Sequence, residues 1–327
     1  MNVVNVKREG GALGSPARCN GSEFSVIVPV RNRSDLLRNC LASLRARDID
    51  SRLYDVIICD DGSTEDLESV VAQFRNTGLS VVLLRQPAKG PAAARNLGAR
   101  HSRTPYVICV DSDVVCAPGF LECMMTAIRG HPEWMAAQAS IVPTGASSSP
   151  LWDAPRNNGQ QGFISAAAVY RREALIEAGG FDEVFPFAAC EDGELAARLL
   201  KLGKFGFVPD AIAHHPCRKV TFGTYWRRRK YWKYEMILAK RCGFLSFPGG
   251  KKVGPFPRLR VALAAVVTLP LGHFREGVQY MKQHLSEGVI ACFHAVFEVF
   301  CGLCALPEIL FAYVPERRNY LSGVTSQ

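Results

Sequence analysis

No stretch of this 327-residue chain is both long and apolar enough to declare itself a membrane span. Val261 to Gly272 stops at twelve residues, and Val289 to Leu306 reaches eighteen but contains His294 and Glu298. Crossing a bilayer takes about 20 mostly apolar residues, so the first run is too short and the second is marginal; in-plane or re-entrant association is the leading expectation. Residues 1–21 hold no apolar core of the signal-peptide kind, so a disordered tail over 1–22 and a cytosolic chain with reduced thiols are expected. The twelve cysteines form no ligand pattern. The one C-x-x-C, Cys301 and Cys304, lacks a second pair, which argues against a zinc or redox centre. Cys59 and Cys109 lie inside apolar runs and read as small core residues. The segment VPVRNRSD from Val28 is no glycine-rich phosphate loop, which removes a nucleotidyltransferase, and no nucleic-acid motif or partner is expected.

Acidic residues are nearly missing from one window. Between Cys217 and Arg260 thirteen Lys and Arg face a single acid, Glu235, so this window carries +12 and the remaining chain −3. Such a stripe asks for an anionic partner: a phospholipid surface, a lipid phosphate or a polyanion. Within it Tyr225, Trp226, Tyr231 and Trp232 alternate with cations, a mixture suited to a membrane interface.

What the chain has is a globular composition, 48% apolar and 21% charged, with a regular alternation near its start. Phe24–Val30, Tyr54–Asp60, Leu79–Leu84 and Tyr106–Asp111 are apolar, β-branched runs that predict buried strands. Helices are predicted between them: one capped by Ser34, one starting at Thr64, one opened by Pro91. Alternation of this kind predicts a parallel, doubly wound sheet, whose ligands bind beyond the carboxyl ends of the strands. Thr144 to Gln161, rich in Gly, Ser, Pro and Asn, reads as a mobile loop, and Glu191 opens a helix closed by Gly203.

Two acidic pairs fall at that sheet edge: Asp60-Asp61, and Asp111 with Asp113 around Ser112. Carboxylates beside buried strands are costly unless paired or bound to a cation. The second pair suits Mg or Mn holding a diphosphate.

Taken in order, FSVIVPVRNR, VIICDDGSTED, KGPAAARNLGAR, VICVDSDV, RREALIEAGGFDE, CEDGELAARLLKLG and VPDAIAHHPCRKV resemble the inverting glycosyltransferases of family 2, which have the GT-A fold. The resemblance covers residues 23 to 235. It implies a nucleotide-sugar half over 23–115, an acceptor half over 116–250, and leaves 251–327 as an apolar helical, membrane-associated extension. It implies that Pro29 and Arg31 lie against the nucleoside of the donor, with Asp60 and Asp61 on base and ribose. Lys89 and Gly90 approach the phosphates through a lysine and helix-terminal N–H groups. Arg95 and Asn96 match an Ala-Arg-Asn signature. Asp111, Ser112 and Asp113 match the metal triplet, His215 adds a ligand, and Asp192 is the base with Glu191 beside it. The implied activity is transfer from a nucleoside diphosphate sugar, UDP-linked for preference, to an acceptor hydroxyl of a glycan or lipid-linked glycan at the cytosolic face of a membrane. Transfer to a polyprenyl phosphate and a non-catalytic nucleotide-sugar binder are the alternatives. An ionised phosphate needs no base, so the Glu191-Asp192 motif argues against the first.

Overall fold

The structure is a computed structural model, and it describes residues 22–45, 49–145, 148–159, 163–243 and 256–324. The expected N-terminal tail and residues 146–147 and 160–162 of the expected loop lie outside the described residues. The apolar runs become strands β1 (Phe24–Val30), β2 (Tyr54–Asp61), β3 (Val81–Gln86) and β4 (Tyr106–Val110). Helices α1 (Ser34–Leu44), α2 (Leu67–Arg75) and α3 (Pro91–His101) connect them. Further along come β5 (Val115–Cys116), α4 (Phe120–Gly130), β6 (Trp134–Thr144), β7 (Trp152–Asp153), β8 (Ala167–Arg171), α5 (Arg172–Glu177) and α6 (Glu191–Leu199). Then follow β9 (Lys204–Pro216), β10 (Arg218–Lys219), α7 (Phe222–Arg228) and α8 (Tyr231–Cys242).

One eight-stranded sheet, ordered β3-β2-β1-β4-β8-β6-β9-β5, runs through both halves. Its β3-β2-β1-β4 part is parallel throughout, and β8 enters antiparallel to β4. A mostly parallel sheet with helices on both faces is the architecture expected from the alternation. Two apolar cores cover those faces. Val26, Val28, Ile58 and Leu41 belong to one, and Ile27, Ile57, Cys59, Cys109 and Phe181 to the other. Helix α3 lies almost on the sheet because its inward face is Ala and Gly. A Cβ at Gly98 would come 2.6 Å from Ile27 Cγ2.

Several boundaries differ from expectation. Ser34 is the first helical residue of α1 and Arg33, left-handed at φ 66, occupies the cap. Thr64 does not start α2; it bonds Asn32 Oδ1, and Asp66 caps the helix by accepting from Ser69 N. Strand β3 sits two residues later than predicted because its pairing register is set by β2, Val56 opposite Val81. Part of the loop after Thr144 is ordered as β7, paired antiparallel with β10.

The largest correction concerns the C-terminal segment. Residues Pro257–Met281 form one helix, with a π-helical stretch at Ala264–Thr268, and Leu285–Leu310 form a second. Both are long and apolar enough to cross a membrane, so twelve residues understated the first. They pair as a hairpin built inside out. Gly288, Ala291, Ala295, Gly302 and Ala305 are buried, whereas Phe293, Val296 and Phe300 are 64%, 60% and 51% exposed. The chain then returns as a strap to the sheet domain. Tyr320 N donates to Gly179 O at 3.0 Å, and Leu321 is buried in the core beneath α3.

Gly98→Leu should lower unfolding stability by about 1–3 kcal/mol, the range for overpacking a filled core. Urea denaturation measures it; an unchanged midpoint would mean that α3 lifts freely from the sheet.

Candidate active site

The carboxyl edge of the parallel strands carries the site. Strand β1 ends at Val30 and the chain turns through Asn32 and Arg33, both at positive φ. Pro29 lies in β1 opposite Cys59, and Arg31 follows it, exposed. At the end of β2 Asp60 is fully buried. Its Oδ1 accepts from Ser63 N at 2.8 Å and its Oδ2 from Arg85 Nε at 2.6 Å. Burial opposes its charge, and these hydrogen bonds overcome that, holding the carboxyl below its usual range. Asp61 accepts from Gln86 Nε2, Lys89 N and Gly90 N at 2.8, 2.7 and 2.8 Å. It therefore ties down the turn into α3. The N–H groups of Lys89 and Gly90, expected to face phosphates, are committed to Asp61, which leaves the exposed Lys89 side chain for that task.

Past β4 lie Asp111, buried Ser112 and buried Asp113. Asp113 sits among basic side chains: Arg218 donates to Oδ2, Arg33 Nη1 lies 3.4 Å from the same oxygen, and His215 Nε2 lies 3.5 Å from Oδ1. The His215 Nδ1 lies 3.1 Å from Pro216 O, a carbonyl that assigns the proton to Nδ1. Nε2 is thereby left directed at Asp113 Oδ1. One ligand atom each from Asp111, Asp113 and His215 lies within 4.8 Å of the others. Two carboxylates and an imidazole at this spacing fit Mn or Mg. Arg33 and Arg218 were missed in the sequence, where Arg33 stood only within a quoted motif and Arg218 counted only toward the basic window; the one signal was the proximity of Arg218 to His215.

Helix α3 delivers the key connection. Arg95 is buried, with Nη2 2.8 Å from Asp111 Oδ1 and Nη1 3.0 Å from Glu191 Oε1. Its neighbour Asn96 exchanges two 2.8 Å hydrogen bonds with the Phe181 backbone, fixing the Gly179–Glu183 turn. Glu191 and Asp192 open α6 after Cys190, which is left-handed at φ 75. Asp192 accepts from Gly193 N at 2.8 Å and from Ser165 N at 3.4 Å. Burial, then the adjacent Asp192 charge, pushes the Glu191 carboxyl up to about 8, and burial also raises that of Asp192. Raised carboxyls at a cleft edge are the property a general base needs near neutral pH.

A raised acid has a thermodynamic signature. With the Glu191 carboxyl raised from its ordinary 4.5 by burial and by Asp192, the folded chain binds more protons than the unfolded one in the window above 4.5. Stability should therefore fall as pH rises through that window and level off above it. Glu191→Gln removes this slope. Chemical denaturation from pH 5 to 8 should show the variant gaining steadily on the parent; parallel curves would refute the buried, protonated carboxyl.

With the geometry in place, relatives can be compared. Residues 25–179 match the family described as Glycosyl transferase family 2. The Pre-mycofactocin glycosyltransferase of Mycobacterium tuberculosis is 31% identical in a 224-residue alignment that covers 62% of this chain and 44% of that one. Chondroitin synthase of Escherichia coli is 26% identical over 239 residues, 59% of this chain and 34% of that one. The matches thus span less than half the length of these relatives. Among solved structures, TarS of S. aureus in complex with UDP-GlcNAc shares the fold at TM-score 0.54 and 16% identity, covering 84% of this chain and 90% of that one. The mannosyltransferase PcManGT of Pyrobaculum calidifontis, in complex with GDP-Man and Mn2+, does so at 0.56 and 19%, covering 92% and 90%. Sheet, acidic edge and matched segment agree: residues 25–179 of the chain are similar to glycosyl transferase family 2.

Proposed function

We propose that this protein is a metal-dependent inverting glycosyltransferase that moves a sugar from a nucleoside diphosphate sugar, a UDP-sugar, to an acceptor hydroxyl in the synthesis of a cell-envelope or exported glycan. One observation carries the reading. The Asp111-Asp113-His215 group and the Glu191-Asp192 pair share one sheet edge, joined through Arg95. The nucleotide-sugar complexes of TarS and PcManGT, the latter with Mn2+, support the donor class. Asp111, Asp113 and His215 would hold the divalent cation, which when bound neutralises charge on the leaving diphosphate. Asp60, held ionised, faces the nucleoside with Pro29 and Arg31, and Ser112 and Lys89 flank the phosphates. Asp192 takes the acceptor hydroxyl proton while the new glycosidic bond forms and the bond to diphosphate breaks. Glu191, tied to Arg95, positions it. A raised Asp192 favours a hydroxyl acceptor over an already ionised lipid phosphate.

Two substitutions tested together separate these roles. Asp192→Asn should cut transfer by roughly two to four orders of magnitude with donor affinity little changed. Asp113→Ala should abolish both turnover and the Mn-dependent thermal stabilisation by UDP. Near-parental transfer in Asp192→Asn, or Mn-dependent UDP stabilisation surviving in Asp113→Ala, would overturn the assignment.

The hairpin supports docking in the plane of an anionic membrane. Its start packs Val261 and Ala265 on Trp232 and Met236 of α8, and near its tip Glu287 accepts from Ser149 at 2.7 Å. A helix of 25 residues is about 37 Å long, so contact at both ends lays it along the domain. Its large apolar side chains face outward beside the basic residues of α7 and α8. Small and polar groups facing in and apolar groups facing out are the arrangement that lipid favours. Full-length protein should float with vesicles containing phosphatidylglycerol and be partly released by 1 M salt, which shortens screening to about 3 Å. Failure to float at low salt would refute membrane docking; resistance to salt and alkaline washing would establish a span instead.

A further inference from the structure

A second cavity, of about 730 Å³, lies where the hairpin meets the sheet domain. That volume falls within the roughly 300–1,000 Å³ of small-molecule sites. No catalytic residue of the edge described above lines it. Its walls come from β7, from α7 and α8, and from both hairpin helices, with Trp152, Tyr231, Trp232 and Tyr280 as aromatic surfaces. Its polar groups are unexpected for so basic a segment. Among the described residues, Asp153, Glu235, Glu276 and Glu298 line it together with two guanidiniums, Arg156 and Arg228, and the imidazole of His273. Arg228 is already paired with Asp153 at 2.6 Å, and Glu298 with His273 at 2.6 Å. Arg227 of α7 and Arg229, which caps that helix, do not line the cavity.

Each candidate occupant can be weighed against that lining. Among the described lining residues a phosphate would meet more carboxylates than guanidiniums, and Arg228 is already paired. A lipid tail would strand carboxylates and amides in hydrocarbon. A polyhydroxylated, uncharged ring suits both features: its hydroxyls donate to carboxylates and exchange bonds with Gln279 and Gln283, and its C–H faces lie on the aromatic rings. The cavity is also mechanically joined to the transfer site. In the β7–β10 ladder Asp153, on the cavity wall, pairs with Arg218, which grips Asp113. Tyr231, on the same wall, lies within electrostatic reach of Glu191.

We infer that this cavity binds the uncharged saccharide portion of the acceptor, and that the helical hairpin is therefore part of the acceptor site. The inference rests on the glycosyltransferase reading above. It assigns the acceptor end nearest the hairpin to sugar and leaves phosphate outside the cavity.

Tryptophan fluorescence of the full-length protein tests it, since Trp152 and Trp232 report from the walls. The neutral probes are cellotetraose, maltotetraose and N,N′,N″,N‴-tetraacetylchitotetraose; the anionic probe is farnesyl phosphate. At least one neutral tetrasaccharide should quench saturably, and Trp152→Phe and Glu276→Gln should each weaken that binding at least 5-fold. Glu276 is exposed, so its substitution spares the fold, and the melting temperature of each variant verifies this. Absence of quenching by all three tetrasaccharides would overturn the inference. So would tighter binding of farnesyl phosphate, or quenching indifferent to both substitutions. Hydrolysis of UDP-sugars by the parent protein, measured in the same samples, separates the two readings. Donor turnover without tetrasaccharide binding removes only the cavity assignment. Substitution-sensitive tetrasaccharide binding without donor turnover supports the cavity's ligand class and removes the transferase reading instead.

Discussion

Arg95 holds the molecule's two chemical halves together. Its guanidinium is only 2% exposed and spans from Asp111, at the end of a parallel strand, to Glu191, at the start of a helix 96 residues away in sequence from Arg95. A buried cation is tolerated only when paired, and breaking such a pair typically costs about 3–5 kcal/mol. The surrounding sequence serves that placement. Ala and Gly on the inner face of α3 let the helix approach the sheet closely enough for a long side chain to reach its edge. Asn96, one residue on, pins the turn that leads toward α6. The left-handed Cys190 swings Glu191 inward, a backbone strain of the kind that accumulates at working sites. Arg95 Nε and Glu191 Oε2 nevertheless have no hydrogen-bond partner among the described residues, so the bridge leaves polar capacity on the floor of the site.

The parallel half of the sheet was legible because parallel strands are buried on both faces and appear as unbroken apolar runs, as in Val26–Val30 and Val56–Cys59. The acidic pairs were legible because nothing local explains them. Convergence was hidden. Arg33 and Arg218 reach one carboxylate from 80 positions before and 105 after it, and neither the turn after β1 nor the basic stripe that holds Arg218 gives a hint that they will do so. Asp61 was read as facing a ligand, yet the turn it caps lies 25 to 29 residues further on. The hairpin was underestimated for a related reason. His273, His294 and Glu298 interrupt the apolar run, but they point to the inside of the helix pair or to the cavity. Linear hydropathy cannot distinguish a charge facing lipid from one facing protein.

Helices α7 and α8 show how one segment meets two environments. Along the sequence they are an undifferentiated mixture of cations and rings. In space the cations at the end of α7 divide: Arg228 turns to Asp153, while Arg229, the cap residue, stacks its guanidinium 3.7 Å from the ring centre of Trp226, which itself stacks on Phe300. Rings and cations together cover the join between sheet domain and hairpin, and the long aliphatic stems of the basic side chains add to that cover.

The strap at residues 315–321 bears on how the hairpin relates to the rest of the chain. Arg241, at the end of α8, donates at 2.5 Å both to Asp182 and to Pro315 O, and Tyr320 donates to the same Asp182 at 3.1 Å. The chain thus leaves the sheet domain and rejoins it at nearly one point, so the hairpin is an insertion between two neighbouring anchors. Closing a longer excursion between fixed ends costs only about 0.6 kcal/mol for each doubling of its length. Closure of the excursion itself is therefore a small term, and a change at the tip is felt through the contacts made there, such as Glu287 with Ser149. Cutting the chain ahead of the hairpin costs more, because that cut also removes Leu321 from the core beneath α3.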